Sequence, residues 1–242
     1  MSRAKRDAGL ARALVCVASY KEAHAVLRGL GAPEDALHAP DWTLIRAPVT
    51  PENIDVLITG VGKANAAAAA ARAFEPLRHA SLLSVGICGL LPGCDAALGS
   101  CVLATESTFA DEGALTPDSF LDVAEMGFPP APGLRGSSFP AHPIALRALR
   151  PLADAQGVIA TVSTCSGTNA HAEEIARRTG AVAEAMEGAA IALVAHRLNA
   201  PFGEIRVISN TTGDRASQTW DMQSALRGLE QVASRLAGAL QP

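Results

Sequence analysis

Short apolar runs and amphipathic segments alternate along almost the whole chain. The apolar runs are rich in Val, Ile and Leu and carry few polar positions, which is typical of strands buried on both faces of a sheet. They occupy residues 14–19, 54–59, 82–87, 101–105, 158–163 and 205–209. The pattern therefore predicts a sheet sandwiched between helices.

Four segments between or after these runs have the composition or spacing of helices. Residues 64–74 are almost all alanine, which has the highest helix propensity. Residues 171–179 follow the capping residue types Thr168 and Asn169 and stop at Gly180. The other two, around 191–198 and 222–240, repeat apolar residues at helical spacing. Strands that alternate with helices predict an α/β layered fold.

The pattern also predicts how the chain is organised. We expect one domain over residues 13–240, because strands and helices alternate over this whole length. Residues 1–12 contain four basic side chains and lack an apolar stretch long enough for a signal peptide, so we expect a flexible basic tail there.

Residues 107–142 break the regular pattern with prolines and glycines. A loop of this length in a compact domain usually covers a site or is disordered. Four aromatic residues could anchor it to the domain, so we expect an ordered lid. They are Phe109, Phe120, Phe128 and Phe139.

Composition narrows the classes of function. The chain has 242 residues, 49% of them hydrophobic and 18% charged, with a formal net charge of -4. This balance leaves no broad basic surface, which argues against a nucleic-acid partner and favours a small metabolite. No apolar run is long enough to predict a membrane span. The five cysteines form no CxxC pair and no metal-ligand spacing, so we expect buried thiols, a cytoplasmic protein and no metal site.

Two glycine turns follow predicted strands. One lies at residues 60–63 and opens the alanine-rich helix, and the other lies at residues 86–89. Backbone N–H groups at such turns can approach a polar ligand, and open α/β sheets bind ligands at the carboxyl ends of strands. Neither turn has the full spacing of a dinucleotide or phosphate loop, so each alone is equally a structural turn.

Two polar groups of residues add candidate chemistry. Glu187 precedes a run of small residues; its carboxylate can accept hydrogen bonds from both hydroxyls of a ribose, and Met186 can pack on the sugar. Asn210 ends the last apolar run, and its amide could bond both N7 and O6 of a 6-oxopurine. The alternatives are a helix cap for Glu187 and an Asx turn for Asn210.

Together these segments resemble a known superfamily. The two glycine turns, the sequence Met-Glu-Gly-Ala-Ala at 186–190 and the strand ending at 206–210 occur in the order and spacing of the methylthioadenosine nucleosidase and purine nucleoside phosphorylase superfamily. Within it, residues 111–120 and 126–129, together with Asn210, resemble the futalosine hydrolases. The resemblance implies a three-layer αβα fold with a central mixed sheet.

The same resemblance implies an activity and the residues that perform it. It implies hydrolysis of the N-glycosidic bond of futalosine to hypoxanthine, without a cofactor, by a homo-oligomer. It implies that Glu22 activates water, that Arg206 organises the water and carboxylates, and that Asn210 binds the base, with Asp214 as a candidate proton donor. The further substrate-binding positions are Gly86, Ile87, Gly89, Thr168 and Lys63, beside Met186 and Glu187.

Two details of the pattern bear on the substrate. Phosphorylases of this superfamily gather arginines and hydroxyls around phosphate, whereas Ser84 and Ile87 occupy the corresponding places here, which favours hydrolysis. The carboxylate at the 5′ end of futalosine needs a cation. Lys63, Arg135 and Arg215 all remain candidates for it.

The sequence leaves two alternatives open. One is a nucleosidase acting on methylthioadenosine, adenosylhomocysteine or aminodeoxyfutalosine, against which Asn210 argues because those enzymes are expected to have aspartate there. The other is a noncatalytic nucleoside-binding protein, since a fold alone does not establish activity.

Overall fold

The computed structural model describes residues 12–33, 39–134 and 136–241. Most of the expected basic tail, residues 1–11, lies outside them. Arg12 belongs to the folded domain, because its guanidinium donates to Asp55 at 3.2 Å and its carbonyl accepts from the backbone of Ala80. The expectation that residue 12 is part of the tail is therefore wrong.

Within the described residues the chain forms 11 strands and six helices. The strands are β1 (Ala13–Val17), β2 (Leu44–Ile45), β3 (Ile54–Ile58), β4 (Ser81–Leu90), β5 (Cys101–Phe109), β6 (Gly113–Leu115), β7 (Phe120–Asp122), β8 (Ser138–Pro140), β9 (Ala155–Thr161), β10 (Ala181–Ala185) and β11 (Phe202–Thr211). The helices are α1 (Tyr20–Gly29), α2 (Lys63–Ala73), α3 (Pro143–Leu149), α4 (Asn169–Thr179), α5 (Gly188–Arg197) and α6 (Met222–Ala239). A 3₁₀ turn follows α3.

Nine of these strands form one mixed sheet, in the order β10-β9-β5-β11-β4-β1-β3-β2, with β8 beside β5. β1, β3, β4 and β11 run parallel to one another, whereas β11 and β5 are antiparallel. β10 pairs with β9 along one edge and with the end of β4 along the other. These pairings close a ring of five strands at one end of the sheet, and the ends of β4, β10 and β11 meet there.

The strands bury side chains on both faces, as the apolar runs predict. In β1, Ala13, Val15 and Val17 pack in the core under α1 and α6, while Leu14 and Cys16 pack in the core under α2 and α5. Alternate residues of a strand point to opposite faces, so a continuous apolar run fills two cores at once. Helices on both faces give the three-layer αβα arrangement, which confirms the expected fold class.

The irregular segment is more ordered than a loop. Residues 113–122 form the β6–β7 hairpin, and β8 joins the main sheet at β5. The rings of Phe109 and Phe139 are buried and meet edge to face at 5.8 Å. Phe128 is exposed, so it is not the anchor that the sequence suggested.

Two further expectations can be compared with the structure. Cys16, Cys88 and Cys101 are buried, but Cys165 is exposed, which corrects the expectation of uniformly buried thiols. Among the described residues, none of the helices has the length and apolar character that crossing a membrane requires.

Candidate active site

A cavity of about 230 Å³ lies where the carboxyl ends of β1, β4 and β11 meet β10. The parallel strands deliver their following residues to one edge of the sheet, which is where α/β folds bind ligands. A larger groove of about 760 Å³ runs between the β6–β7 hairpin and α4, but none of the predicted site residues lines it. Six predicted residues line the smaller cavity: Glu22, Ile87, Gly89, Met186, Glu187 and Asn210.

Glu22 is held by the first turn of α1 and by the second glycine turn. Ser19 caps the helix, and its backbone N–H and hydroxyl donate to one carboxylate oxygen of Glu22 at 2.9 and 2.7 Å. The backbone N–H of Ile87 donates to the other oxygen at 2.9 Å. Burial raises the pKa of Glu22, and the charge of Glu187 adds to the increase. Glu22 is therefore a fixed, buried carboxylate rather than an exposed helix residue.

Arg206 lies behind Glu22 and is fully buried. Its Nε donates to Glu204 at 2.8 Å, Nη1 to Glu187 at 3.2 Å, and Nη2 to the hydroxyl of Ser84 at 2.8 Å. Burial alone would lower the pKa of the guanidinium, but Glu204, Glu187 and Glu22 together raise it above its ordinary value. Arg206 thus joins Glu187, in the cavity lining, to Glu204 behind it through one permanent positive charge.

Gly86 allows the side chains of Glu22 and Arg206 to pack close together. A Cβ at this position would lie 2.5 Å from Nη1 of Arg206 and 2.5 Å from Oε1 of Glu22. A glycine is therefore required for close packing, although residue 86 does not itself line the cavity.

Glu187 occupies the N-cap position of α5, but its side chain caps no helical N–H. One carboxylate oxygen accepts the backbone N–H of Gly62 at 3.1 Å, and the other faces Arg206. The helix-cap interpretation is therefore wrong. The first glycine turn serves to orient Glu187, and Met186 lines the cavity beside it.

Asn210 follows an irregularity in the pairing of β11 with β4, between Ile208 and Asn210. Bulges of this kind redirect side chains at the ends of strands. Its Oδ1 accepts from the hydroxyl of Ser209 at 2.8 Å, and its Nδ2 donates to the carbonyl of Thr211 at 2.9 Å. The amide therefore keeps one N–H on Nδ2 and one lone pair on Oδ1 with which a ligand in the cavity can form hydrogen bonds.

Besides Gly86 and Arg206, which pack behind the cavity lining, three predicted residues lie outside the cavity. Lys63 contacts Asp111 and Glu112, at 2.5 and 3.1 Å from Nζ to the carboxylates. Thr168 caps α4 by accepting from the backbone N–H of His171. Asp214 is exposed, and its two oxygens accept from the backbone and side-chain nitrogens of Asn169.

These contacts are at odds with the roles suggested for the three residues. The ammonium of Lys63 is already neutralised by its two acidic partners. Asp214 closes a loop, so it is not positioned to protonate a base.

Sequence reasoning missed two buried glutamates at the site, Glu184 and Glu204, together with the serines that donate to them, Ser166 and Ser107. Glu184 is buried in the cavity and accepts from the backbone N–H and hydroxyl of Ser166 at 2.8 and 2.6 Å. Burial raises the pKa of Glu184, while the two bonds from Ser166 oppose the increase. Glu204 is buried behind Arg206 and accepts from Ser107. Both glutamates interrupt apolar strands, and that signal could have identified them.

The cavity also has one exposed cation at its mouth. Arg215 lines the cavity, lies over the ring of Trp220 at 4.9 Å and contacts Gln218 at 3.0 Å. Of the three cation candidates, Lys63 is paired elsewhere and Arg135 lies outside the described residues. Arg215 is therefore the candidate that the described structure brings to the cavity.

The charges of the lining determine what the cavity can accommodate. In the part of the chain that the structure describes, the lining contains three carboxylates and one arginine. Such a surface favours developing positive charge and disfavours a dianion such as phosphate. No group of three His, Cys, Asp or Glu side chains in the same part of the chain is arranged to hold a metal ion.

Comparison with known proteins agrees with this fold. The sequence model of the phosphorylase superfamily matches residues 12–241. A 5′-methylthioadenosine/S-adenosylhomocysteine nucleosidase from Neisseria meningitidis superposes with a TM-score of 0.71 and 22% identity, covering 96% of this chain and 98% of the other. At this identity the likeness shows the fold. The chain belongs to the phosphorylase superfamily.

Closer relatives define the family within it. The futalosine hydrolase of Acidothermus cellulolyticus is 36% identical over 93% of this chain and 90% of its own. That of Streptomyces coelicolor is 36% identical over 94% of this chain and 96% of its own. Within the superfamily, this chain belongs to the futalosine hydrolases.

Proposed function

We propose that this protein hydrolyses the N-glycosidic bond of futalosine and releases hypoxanthine and dehypoxanthine futalosine. The observation that carries the proposal is the distribution of groups in one cavity, with Glu22 and Glu187 at one end and Asn210 at the other. Gly86, beside Glu22, and Gly89, beside Asn210, are three residues apart on β4. This separates the two ends by roughly 10 Å, which suits a sugar and its base.

The carboxylate end suits the sugar. Glu187 accepts hydrogen bonds from the ribose hydroxyls, and Met186 packs against the ring. Glu22 takes a proton from the attacking water, whose oxygen bonds to C1′ as the bond from C1′ to N9 breaks. The electron pair of that bond leaves with the purine, which takes up a proton. The negative charge of Glu187 stabilises the cationic sugar formed in the transition state.

The amide end suits a 6-oxopurine. Asn210 already donates to Thr211 and accepts from Ser209, so one N–H and one lone pair remain for the base. The free N–H bonds O6, and the free lone pair bonds N7 once N7 carries a proton. An adenine would instead present an amino group to the amide N–H.

Hydrolysis is favoured over phosphorolysis by the contacts of Ser84 and Arg206 near the sugar end. Ser84 accepts from Arg206, and all three nitrogens of Arg206 have partners on the protein. The described residues therefore offer a phosphate dianion no unpaired cation at this end, and two carboxylates would repel it.

Three finer features belong to the same proposal. The substrate and products assign the enzyme to menaquinone biosynthesis by the futalosine route. A metabolic enzyme with this composition and without a predicted membrane span is expected to be cytoplasmic. The superfamily resemblance supports a homo-oligomer, which sedimentation velocity would test.

Chromatography of a reaction between purified protein and futalosine tests the activity. Hypoxanthine should appear in phosphate-free buffer, and added phosphate should not increase the rate. Aminodeoxyfutalosine and methylthioadenosine are the competing substrates. A preference of more than about tenfold for either 6-amino nucleoside, worth roughly 1.4 kcal/mol, would contradict the assignment of the base. Tight binding without release of any base would indicate a noncatalytic binding protein.

A further inference from the structure

A third buried carboxylate, Glu184, lies in the cavity and has no role in the cleavage described above. Its side chain lines the cavity, and it is 5% exposed. Both oxygens are held by Ser166, itself buried, through its backbone N–H and its hydroxyl. Two donors on one carboxylate favour the ionised form and fix its orientation. Each oxygen keeps a lone pair that a ligand can use.

The sheet aligns Glu184 with Asn210 across one glycine. Glu184 of β10 is the register partner of Gly89 on β4, and Asn210 of β11 is the register partner of Gly89 on the other side. Partners across a strand pair lie roughly 5 Å apart, so the two polar residues are separated by roughly 10 Å. The ring closure by β10 produces this row of three residues.

Gly89 allows the two side chains to lie close together. A Cβ there would lie 3.2 Å from Nδ2 of Asn210 and 3.6 Å from Cγ of Glu184, and 2.8 Å from Thr212. A side chain at residue 89 would therefore collide with these neighbours, so a glycine is needed to bring Glu184 and Asn210 to the same part of the cavity lining. A planar base that presents its edge there meets a hydrogen-bonding group from each of them.

The hydrogen-bonding groups along the edge of a 6-oxopurine complement those of Asn210 and Glu184. N7 and O6 are acceptors, and the next group along the edge, N1–H, is a donor. In a 6-aminopurine the position 6 group is a donor and N1 is an acceptor. Asn210 offers a donor for O6, and Glu184 offers only acceptors.

We propose that Glu184 accepts the N1–H of the 6-oxopurine, and that Glu184 and Asn210 together select hypoxanthine over adenine. This inference rests on the proposed function and names a second specificity-determining residue for the same site. An adenine bound in the same way would direct the lone pair of N1 at the carboxylate. Its rejection therefore depends on both residues, and not on Asn210 alone.

The first experiment compares Glu184→Gln with wild type and with Glu173→Gln. Glu173 is an exposed glutamate on neighbouring α4, so it controls for the loss of one negative charge. We expect kcat/KM for futalosine to fall at least tenfold in Glu184→Gln. The ratio of kcat/KM for futalosine to that for aminodeoxyfutalosine should narrow at least tenfold, because a glutamine amide can donate to N1 of adenine. Glu173→Gln should change neither value by more than twofold.

A binding measurement tests the same contact without catalysis. Isothermal titration should show that wild type binds hypoxanthine at least tenfold more tightly than 1-methylhypoxanthine, which lacks the N1–H. The difference should disappear in Glu184→Ala, which removes the acceptor and makes room for the methyl group.

The outcomes separate this inference from the proposed function. If wild type releases hypoxanthine but Glu184→Gln keeps the same substrate ratio within threefold, the inference is overturned, even if both rates fall. If Glu184→Gln fails to fold, equal wild-type binding of the two free bases would overturn it as well. Absence of hypoxanthine release by wild type would instead refute the proposed function, while the two free bases would still test the contact to N1.

Discussion

Replacing Asn210 with aspartate is the sharpest test of how the base is selected. The structure fixes the orientation of the amide, because the carbonyl of Thr211 can only accept and so must face Nδ2. Oδ1 then faces the hydroxyl of Ser209. In Asn210→Asp, a carboxylate oxygen replaces Nδ2. This oxygen faces the Thr211 carbonyl within the protein and O6 of the bound base, and both are acceptors.

The two unfavourable contacts have different consequences. The contact with Thr211 is present with or without substrate, so it lowers stability by about 1 kcal/mol. For a chain of this length that corresponds to a decrease in Tm of roughly 2–4 °C. The contact with O6 occurs only when the base is bound. It places two buried acceptors, the carboxylate oxygen and O6, against each other without a hydrogen between them, which weakens binding of the transition state by about 3 kcal/mol. That energy corresponds to a decrease in kcat/KM for futalosine of roughly 150-fold.

Chromatography of hypoxanthine and adenine release measures the effect on the two substrate classes. Asn210→Asp should lose activity on futalosine and gain activity on aminodeoxyfutalosine, whose amino group can donate to the new carboxylate. Asn199→Asp, at an exposed residue after α5, makes the same chemical change and should retain wild-type rates. Less than a threefold change in the futalosine rate of Asn210→Asp, with the fold intact, would refute the assignment of Asn210 to O6.

Three other changes test the sugar end and the fold. Glu22→Gln should lower kcat by roughly 10²–10⁴-fold while leaving the circular dichroism spectrum unchanged. The wild-type rate should fall on acidification at a pH above the ordinary carboxyl pKa of 4.5, because the pKa of Glu22 is raised by burial and by Glu187. A rate that stays constant through that pH range would argue against Glu22 as the base. Gly86→Ala should lower kcat at least tenfold by displacing Glu22, whereas Gly238→Ala, where a Cβ meets nothing within 4 Å, should match wild type in the same assay. Asp55→Asn should lower the free energy of unfolding in urea by about 3 kcal/mol, since buried Asp55 pairs with Arg78. The pKa of Asp55 is lowered from 3.8, because the bonds from Arg78 and a histidine outweigh the opposing effect of burial. The contribution of Asp55 to stability is therefore complete above pH 3.8 and is lost as the pH falls through the lowered pKa. Equal stability of Asp55→Asn and wild type at neutral pH would refute this role of Asp55.

The sequence predicted those parts of the fold that depend on local pattern. The six long apolar runs correspond to β1, β3, β4, β5, β9 and β11, because a strand between two layers of helices needs apolar residues on both faces. β10 was missed because its sequence, Ala-Val-Ala-Glu-Ala, has little β-branched character and contains a charge. Its conformation depends on pairing with β9 and β4, which no local pattern encodes. The short strands β2, β6, β7 and β8 depend on their partners in the same way.

The residues of the candidate site were likewise predicted only where a local sequence pattern marks them. Glu22, Glu187 and Asn210 were found because each follows a recognisable strand or turn, and the structure brings all three to one cavity. Glu184 was not proposed, because its place in the cavity depends on the closure of β10 onto β4. Lys63 was expected to bind substrate as one of three candidate cations for the 5′ carboxylate. Asp111, from a distant loop, lies close enough to pair with it, and such a contact is invisible in the sequence around residue 63.

The buried charges also explain why one arginine can serve two carboxylates without cancelling their effect. Arg206 lies 2.8 Å from Glu204 but 3.2 Å from Glu187, and Glu204 lies behind it, away from the cavity lining. Because Glu204 balances much of the charge of the guanidinium, Glu187 retains negative potential toward the cavity. Glu204 is thus a positioning residue, whose neutralisation would both loosen Arg206 and direct its positive charge toward the sugar. In the proposed mechanism this arrangement favours a cationic transition state and disfavours phosphate, so we expect the choice of water as nucleophile to depend on Glu204, although no substrate touches it.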